Sequence, residues 1–330
     1  MSRRHLDEDD VRVRPGRGSR PRTRDRPNHA DALEALVVAV NRGRYLCHAP
    51  TGDLLAVRGG HVRRTPVVVG DRVRLVGDTS GQVDTLARIV DVLARRSVLN
   101  RSPDDQDPVE RPVVANADQL VIVAALANPP PRPRLIDRCL VAAFDGGLDP
   151  LLCLTKRDLA DPGELASRYE PLQLRVVVSG RGDGGAGARA LHRQVAGRTS
   201  CFFGHSGVGK STLVNALVPC AEQLTAEVNA TTGRGRHTTS SAIALPLDGG
   251  GWVIDTPGVR TLGLGHVSVT RVLAAFPDLA AATAACPRGC PHTDGAPECG
   301  LDRAQPRVDA TGRVESFRRL LTSLAGEEPA

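Results

Sequence analysis

The chain has 330 residues and a formal net charge of +6, long enough for two or three domains that each bury a core. No run of about 18 apolar residues occurs, and the Arg-bearing N-terminus lacks an apolar stretch, so neither a membrane span nor a secretory signal is predicted and a cytoplasmic protein is expected. The basic balance suits a polyanionic partner, nucleic acid in preference to a membrane.

Residues 1–32 are rich in Arg, Asp, Pro and Gly with no hydrophobic period, which predicts a disordered basic tail that either touches RNA phosphates or only solubilises the chain. Residues 33–100 hold short β-type runs at 35–40, 53–57, 67–76 and 87–93, spaced as in a small OB-type β-barrel that could bind irregular RNA. Tyr45 is the aromatic available there for base stacking. Arg58, Arg63, Arg64, Arg72 and Arg74 would supply phosphate contacts, or form a charged solvent face.

From 101 to 268 the pattern becomes α/β. Apolar runs at 119–126, 150–154, 174–178, 200–203 and 252–254 read as strands and 134–144 as a helix, which predicts a mostly parallel sheet. Residues 180–187 read as a flexible Gly-rich loop. Residues 269–330 form a separate small helical domain with a Cys/His cluster and a basic helical segment at 316–324.

Only two residues of the chain are lysines, Lys156 and Lys210, and each sits in a nucleotide motif. GHSGVGKS, from Gly204 to Ser211, matches the phosphate-loop pattern between a strand and an amphipathic segment. Its glycines Gly204, Gly207 and Gly209 let the backbone N–H groups of the loop, through His205, Ser206 and Val208 to Thr212, curl around phosphate. Lys210 reaches the β and γ phosphates and Ser211 ligates Mg2+. TKRD, Thr155, Lys156, Arg157 and Asp158, selects guanine, because Asp158 accepts from the N1–H and the 2-amino group whereas adenine would leave the carboxylate unpaired. Ser179 lies in a short loop that would back the base. DTPG starts at Asp255, which would hold Mg2+ through water, and the Gly258 N–H would sense the γ-phosphate. Between them TTGRGRHTTSS is the natural switch segment, with Thr238 or Thr239 closing on Mg2+.

Cys286, Cys290, His292 and Cys299 follow the spacing C-x3-C-x-H-x6-C, four ligands suited to one tetrahedral, structural Zn2+. Cys139, Cys153 and Cys201 lie in apolar stretches and read as small buried hydrophobes.

With guanine motif, phosphate loop and DTPG in that order, a barrel before them and a Cys/His cluster after, the chain resembles the circularly permuted GTPases that depend on the small ribosomal subunit. RPVVANADQLVIV (111–123) and GRHTT (235–239) add to the resemblance, which covers nearly everything after residue 33. It implies GTP hydrolysis stimulated by the 30S subunit, a role in late maturation of that subunit, contact with its rRNA, and a monomer. Thr155 departs from the family in replacing Asn, which is expected to lose a tie between loops. Val259 stands where Ras-like enzymes carry a water-orienting Gln, and His237 resembles the histidine proposed to take over; an RNA-contacting histidine is the alternative. Competing readings are an assembly factor for which GTP is only a sensing ligand, a permuted GTPase for the large subunit, and a P-loop kinase.

Overall fold

The computed structural model describes residues 29, 32–62, 64–82, 85–102, 105, 107, 109–219, 221–231, 242–256, 262–303 and 312–325. Two units are distinguished, Met1–Asp31 and Ala32–Ala330. The expected tail falls almost wholly in the first and, apart from residues 29 and 32, outside the described residues; Arg63, in the second unit, also lies outside them.

Strands β1 (Leu33–Asn41), β2 (Arg44–Ala49), β3 (Gly52–Arg58), β4 (Arg72–Gly77) and β5 (Ala87–Val92) follow one another, and β1 pairs with β4 to close a five-stranded barrel in the order β1-β2-β3-β5-β4. Alternate residues point inward, so Val37, Cys47, Ala56, Val73 and Ile89 form its core. That parity corrects one expectation. Tyr45 is 3% exposed inside the barrel and offers no stacking face, while its neighbours Arg44 and His48 face outward. Arg72 and Arg74 are also engaged within the wall: Arg72 lies 3.0 Å from Glu34, and Arg74 lies 3.8 Å from Glu34 and 3.5 Å from Asp91.

β6 (Val98–Arg101) and β7 (Arg111–Ala115) form a separate hairpin sheet that the sequence pattern did not predict. β8 (Gln119–Ala125), α1 (Pro133–Gly146), β9 (Asp149–Thr155), α2 (Gly163–Ser167), β10 (Arg175–Val178), α3 (Ala186–Val195), β11 (Thr199–Gly204), α4 (Lys210–Leu217), α5 (Ala221–Thr231), β12 (Ile243–Pro246) and β13 (Trp252–Asp255) then build an α/β layer. Its strand order is β10-β9-β8-β11-β13-β12, parallel except for β12. All seven residues of β8 are buried, as a central parallel strand covered on both faces requires. Proline in the first turn of α1 and left-handed Gly147 at its end fix the limits of that helix. β12 pairs with β1 through Ala39 and Ile243, so barrel and α/β layer share one eleven-stranded sheet.

The last region carries α6 (Val269–Leu273), α7 (Pro277–Ala282) and α8 (Arg313–Ala325). Phe276 meets Phe144 of α1 at 4.9 Å and Phe317 of α8 at 5.3 Å, both edge-on, which seats these helices against α1.

Gly70 joins barrel and hairpin. At φ +89° it donates to Val37 O at 2.8 Å and accepts from Asn116 Nδ2 at 2.9 Å, and a Cβ there would overlap the Ala115 carbonyl oxygen. Gly43 has a similar φ of +84° with open space around it. Gly70→Ala is therefore expected to lower unfolding free energy by ~2–4 kcal/mol in urea titrations, against ~1 kcal/mol for Gly43→Ala.

Candidate nucleotide site and metal cluster

Parallel pairing of β8 with β9 and with β11 brings the C-terminal ends of these strands to one edge, and β13 ends beside β11. TKRD leaves the end of β9, the phosphate-loop sequence leaves β11, and Asp255 closes β13. This is the crevice position in which open α/β sheets bind ligands.

The loop from Gly204 to Lys210 has the backbone that a phosphate cradle needs. Gly207 and Gly209 take φ of +81° and +93°, and a Cβ on Gly204 would stand 2.7 Å from Val123 O, so the loop leaves the sheet with no room for a side chain. Gly209 precedes α4, whose first turn holds Lys210, Ser211 and Thr212. Lys210 forms an ion pair with Asp255, their side chains 9% and 25% exposed. The adjoining Thr256 is pinned by its hydroxyl, which donates to Phe202 O at 2.6 Å. His205 turns back on the loop, its Nδ1 2.9 Å from Ser206 O.

Thr155 is buried, and its Oγ1 donates to Val208 O at 2.5 Å. The expected loss of a tie at this position is thus corrected: a hydroxyl reaches the phosphate loop where an amide would have done so. Lys156 adds a second bridge, its Nζ donating to Gly207 O at 2.8 Å and to Asn128 O. Asp158 Oδ1 accepts from Arg181 N at 2.8 Å, and Arg157 N donates to Ser179 O at 3.2 Å, which locks the two base-side loops together.

Residues 180–187 carry side-chain to backbone hydrogen bonds that their glycine content does not suggest. The Asp183 carboxylate accepts from the N–H groups of Gly180 at 3.2 Å, Gly185 at 2.7 Å and Gly187 at 3.1 Å. These bonds, that from Gly180 first, hold its pKa below the usual carboxylate value. Asp183 was not singled out from the sequence, although an Asp just ahead of a helix is a recognisable turn and capping signal. The elements enclose a cavity of about 320 Å3 lined by Thr155, Lys156, Asp158, Leu159, Ser179, Gly180, Arg181, Gly209, Thr212 and Leu213. Leu159, 51% exposed at its rim, is a second residue missed, an apolar surface where a base could rest. His237, Thr238, Thr239, Gly258 and Val259 lie outside the described residues.

Far from the cavity in sequence, Cys286, Cys290, His292 and Cys299 converge so that their ligand atoms lie within 4.8 Å of one another. His292 Nδ1 is 3.6 Å from Cys286 Sγ and 3.8 Å from Cys299 Sγ. The S···N edge of a tetrahedral zinc site is roughly 3.6 Å, so this donor set fits the ion. Burial and then the Arg318 cation push the His292 pKa down, favouring the neutral ring that a metal ligand must be. Gly300 N donates to Cys286 Sγ at 3.0 Å, and Arg318 of α8 donates to His292 O at 3.3 Å and to Asp302 Oδ1 at 2.5 Å, fastening the cluster to the helix. Cys139, Cys153 and Cys201 are fully buried, as expected; burial pushes the Cys153 and Cys201 thiols up to about 12.

The sequence model described as RsgA GTPase matches residues 92–265. The chain belongs to the RsgA GTPase family. Relatives named small ribosomal subunit biogenesis GTPase RsgA include one from Gemmatimonas aurantiaca, 37% identical over 79% of this chain and 85% of its own length. Another, from Chlorobaculum tepidum, is 35% identical over 89% of this chain and 99% of its own. Among solved structures, YjeQ from Thermotoga maritima superposes with a TM-score of 0.65 at 27% identity, covering 90% of this chain and 99% of that one. YloQ, described as a circularly permuted GTPase, gives 0.63 at 20% identity over 93% and 99% of the two chains, a likeness of fold. As an RsgA GTPase the chain is a GTP hydrolase, a class that uses Mg2+, and its Cys3His cluster is compatible with zinc.

Thr155→Val removes the bond to Val208 and is expected to weaken GDP binding by ~1–2 kcal/mol, about five- to thirtyfold in fluorescence titration, whereas Thr155→Asn keeps it within about threefold. Elemental analysis of purified protein should find about one zinc per chain, and Cys299→Ser should lose most of it and speed amide exchange in α8.

Proposed function

We propose that the chain binds GTP with Mg2+ in the cavity between TKRD and the phosphate loop, hydrolyses it on the small ribosomal subunit, and serves late maturation of that subunit. The observation that carries this reading is the Thr155–Val208 bond: a base-selecting loop and a phosphate loop fastened edge to edge beside one cavity of about 320 Å3.

In this reading Asp158 accepts the N1–H and 2-amino hydrogens of guanine, the Lys156 stem and Leu159 flank the ring, and the loop at Ser179 faces the base edge through backbone N–H groups. Amides of residues 205–212 surround the phosphates, and Lys210 exchanges Asp255 for the β and γ oxygens. The developing charge of phosphoryl transfer is then met by groups already in place, so little reorganisation is needed at the moment of reaction. Ser211, Asp255 and a switch threonine, Thr238 or Thr239, would hold Mg2+, which would supply charge neutralisation for the phosphates. Gly258 N–H senses the γ-phosphate. His237 positions the attacking water, because Val259 has no polar group with which to do so.

In this reading a barrel at 33–100 and a zinc-stapled domain at 269–330 flank the G domain at 101–268 and dock on rRNA, with the chain acting as a monomer in the cytoplasm. Cys286, Cys290, His292 and Cys299 would hold one structural zinc ion, four protein ligands being the full set such a site takes.

Phosphate release from GTP and from ATP, measured alone, with small subunits and with large subunits, tests the reading. Small subunits are expected to raise GTP turnover roughly tenfold or more, with ATP inert in every arm. Stimulation by large subunits instead would overturn the assignment.

A further inference from the structure

The segment Leu262–His266 resumes the described chain just beyond DTPG and leads into α6. It is held on two sides. From the barrel side, the stretch after β6 grips it: Ser102 N donates to Gly263 O at 2.9 Å, Leu264 N donates to Asp105 Oδ1 at 3.0 Å, and His266 N donates to Ser102 Oγ at 3.1 Å. A Cβ on Gly265 would stand 2.6 Å from Asp107 O and 2.8 Å from Asp105 O, so the two backbones lie in direct contact.

From the other side α1 supplies Arg138, 9% exposed. Its Nε donates to Leu262 O at 3.1 Å, one terminal nitrogen donates to Ser323 O of α8 at 3.0 Å, and the other donates to Leu262 O and to Asp105 Oδ1. All three guanidinium nitrogens are spent on three separate stretches of chain: the stretch leaving the barrel, the exit from DTPG, and the last helix of the zinc-cluster region. Two turns further along α1, Asp145 repeats the pattern more loosely, with His266 Nε2 at 3.8 Å and Arg271 Nε of α6 at 2.9 Å. The N-terminal approach to α1 meets the nucleotide cavity, since Lys156 donates to Asn128 O.

Burying a guanidinium in this way costs desolvation that an apolar side chain would avoid, and the packing alone does not call for it. A planar fork with fixed donor directions does what no apolar group could: it makes the positions of three segments depend on one another. We propose that Arg138 is a positioning residue for the subunit-stimulated part of GTP hydrolysis alone, joining the DTPG exit to both the barrel and the zinc-cluster helix, so that subunit contact on those outer parts is transmitted to the switch. The direction of that signal rests on the function proposed above. The coupling itself does not.

The test uses full-length, zinc-loaded protein with Arg138→Lys, which keeps charge but loses the fork, and Asp105→Asn, which alters the more exposed partner and decides the matter should the first variant fold poorly. In wild type, amide exchange in α8 is expected to differ between GDP and a non-hydrolysable GTP analogue. Both variants should lose that difference and about tenfold of the small-subunit stimulation, while basal turnover, GDP affinity and affinity for the subunit stay within about threefold. Coupling retained in both folded variants overturns the proposal, as does a wild type with no nucleotide-dependent difference in α8. Loss of GDP affinity together with the coupling would reduce Arg138 to a structural role and also overturns it. A wild type that shows the exchange difference but no stimulation by small subunits would sink the functional reading and leave Arg138 as a coupling residue.

Discussion

The parallel pairing of β8, β9 and β11 is the constraint on which the nucleotide site depends. Parallel strands must all end at the same edge, so whatever loops follow them converge there regardless of when they occur in the chain. Lys156 of the base-side motif and Gly209 of the phosphate loop therefore line the same cavity although the base-side motif comes first in sequence. The order of motifs along the chain is free as long as the order of strands in the sheet is kept, which is why permutation leaves the chemistry intact and alters only what is attached to each end.

What is attached matters. In this arrangement the strand ending in Asp255 leads to α6 and the Cys/His cluster, and the stretch entering the layer comes from the barrel. The two attachments come together at Leu262–His266, where backbone bonds from Ser102 and the Asp105 carboxylate meet the Arg138 fork. Charge is used there for geometry. The Asp105 pKa shows the same balance: burial raises it, and the Arg138 hydrogen bond with the Leu264 amide outweighs that and holds it below the usual carboxylate range.

The sequence was most legible where one periodicity or one motif acts alone. β8 and β9 are continuous apolar runs, and the glycines of GHSGVGKS and the Cys/His spacing state their geometry outright. β2 was missed because its inward positions, Tyr45 and Cys47, alternate with Arg44 and His48 over only six residues. β12 is four residues long and ends in Pro246, too short to show a period. The role of Thr155 could not be read from its motif, since its partner is a backbone carbonyl 53 positions away whose location only the folded sheet supplies. The same is true of Arg138, which in sequence is one more arginine in an arginine-rich chain and in the fold touches residues 124 and 185 positions distant.

The pairing of β1 with β12 has a consequence for the behaviour of the chain in concentrated solution. β12 would otherwise be the outer strand of the α/β layer, with a row of unsatisfied backbone groups able to recruit a strand from another molecule. The barrel closes on itself through β1 and β4, and by placing β1 against β12 it also covers that edge. The opposite margin is β10, only four residues long and beginning with Arg175. Self-association through the sheet is thereby discouraged at both margins, by a neighbouring domain at one and by brevity and charge at the other.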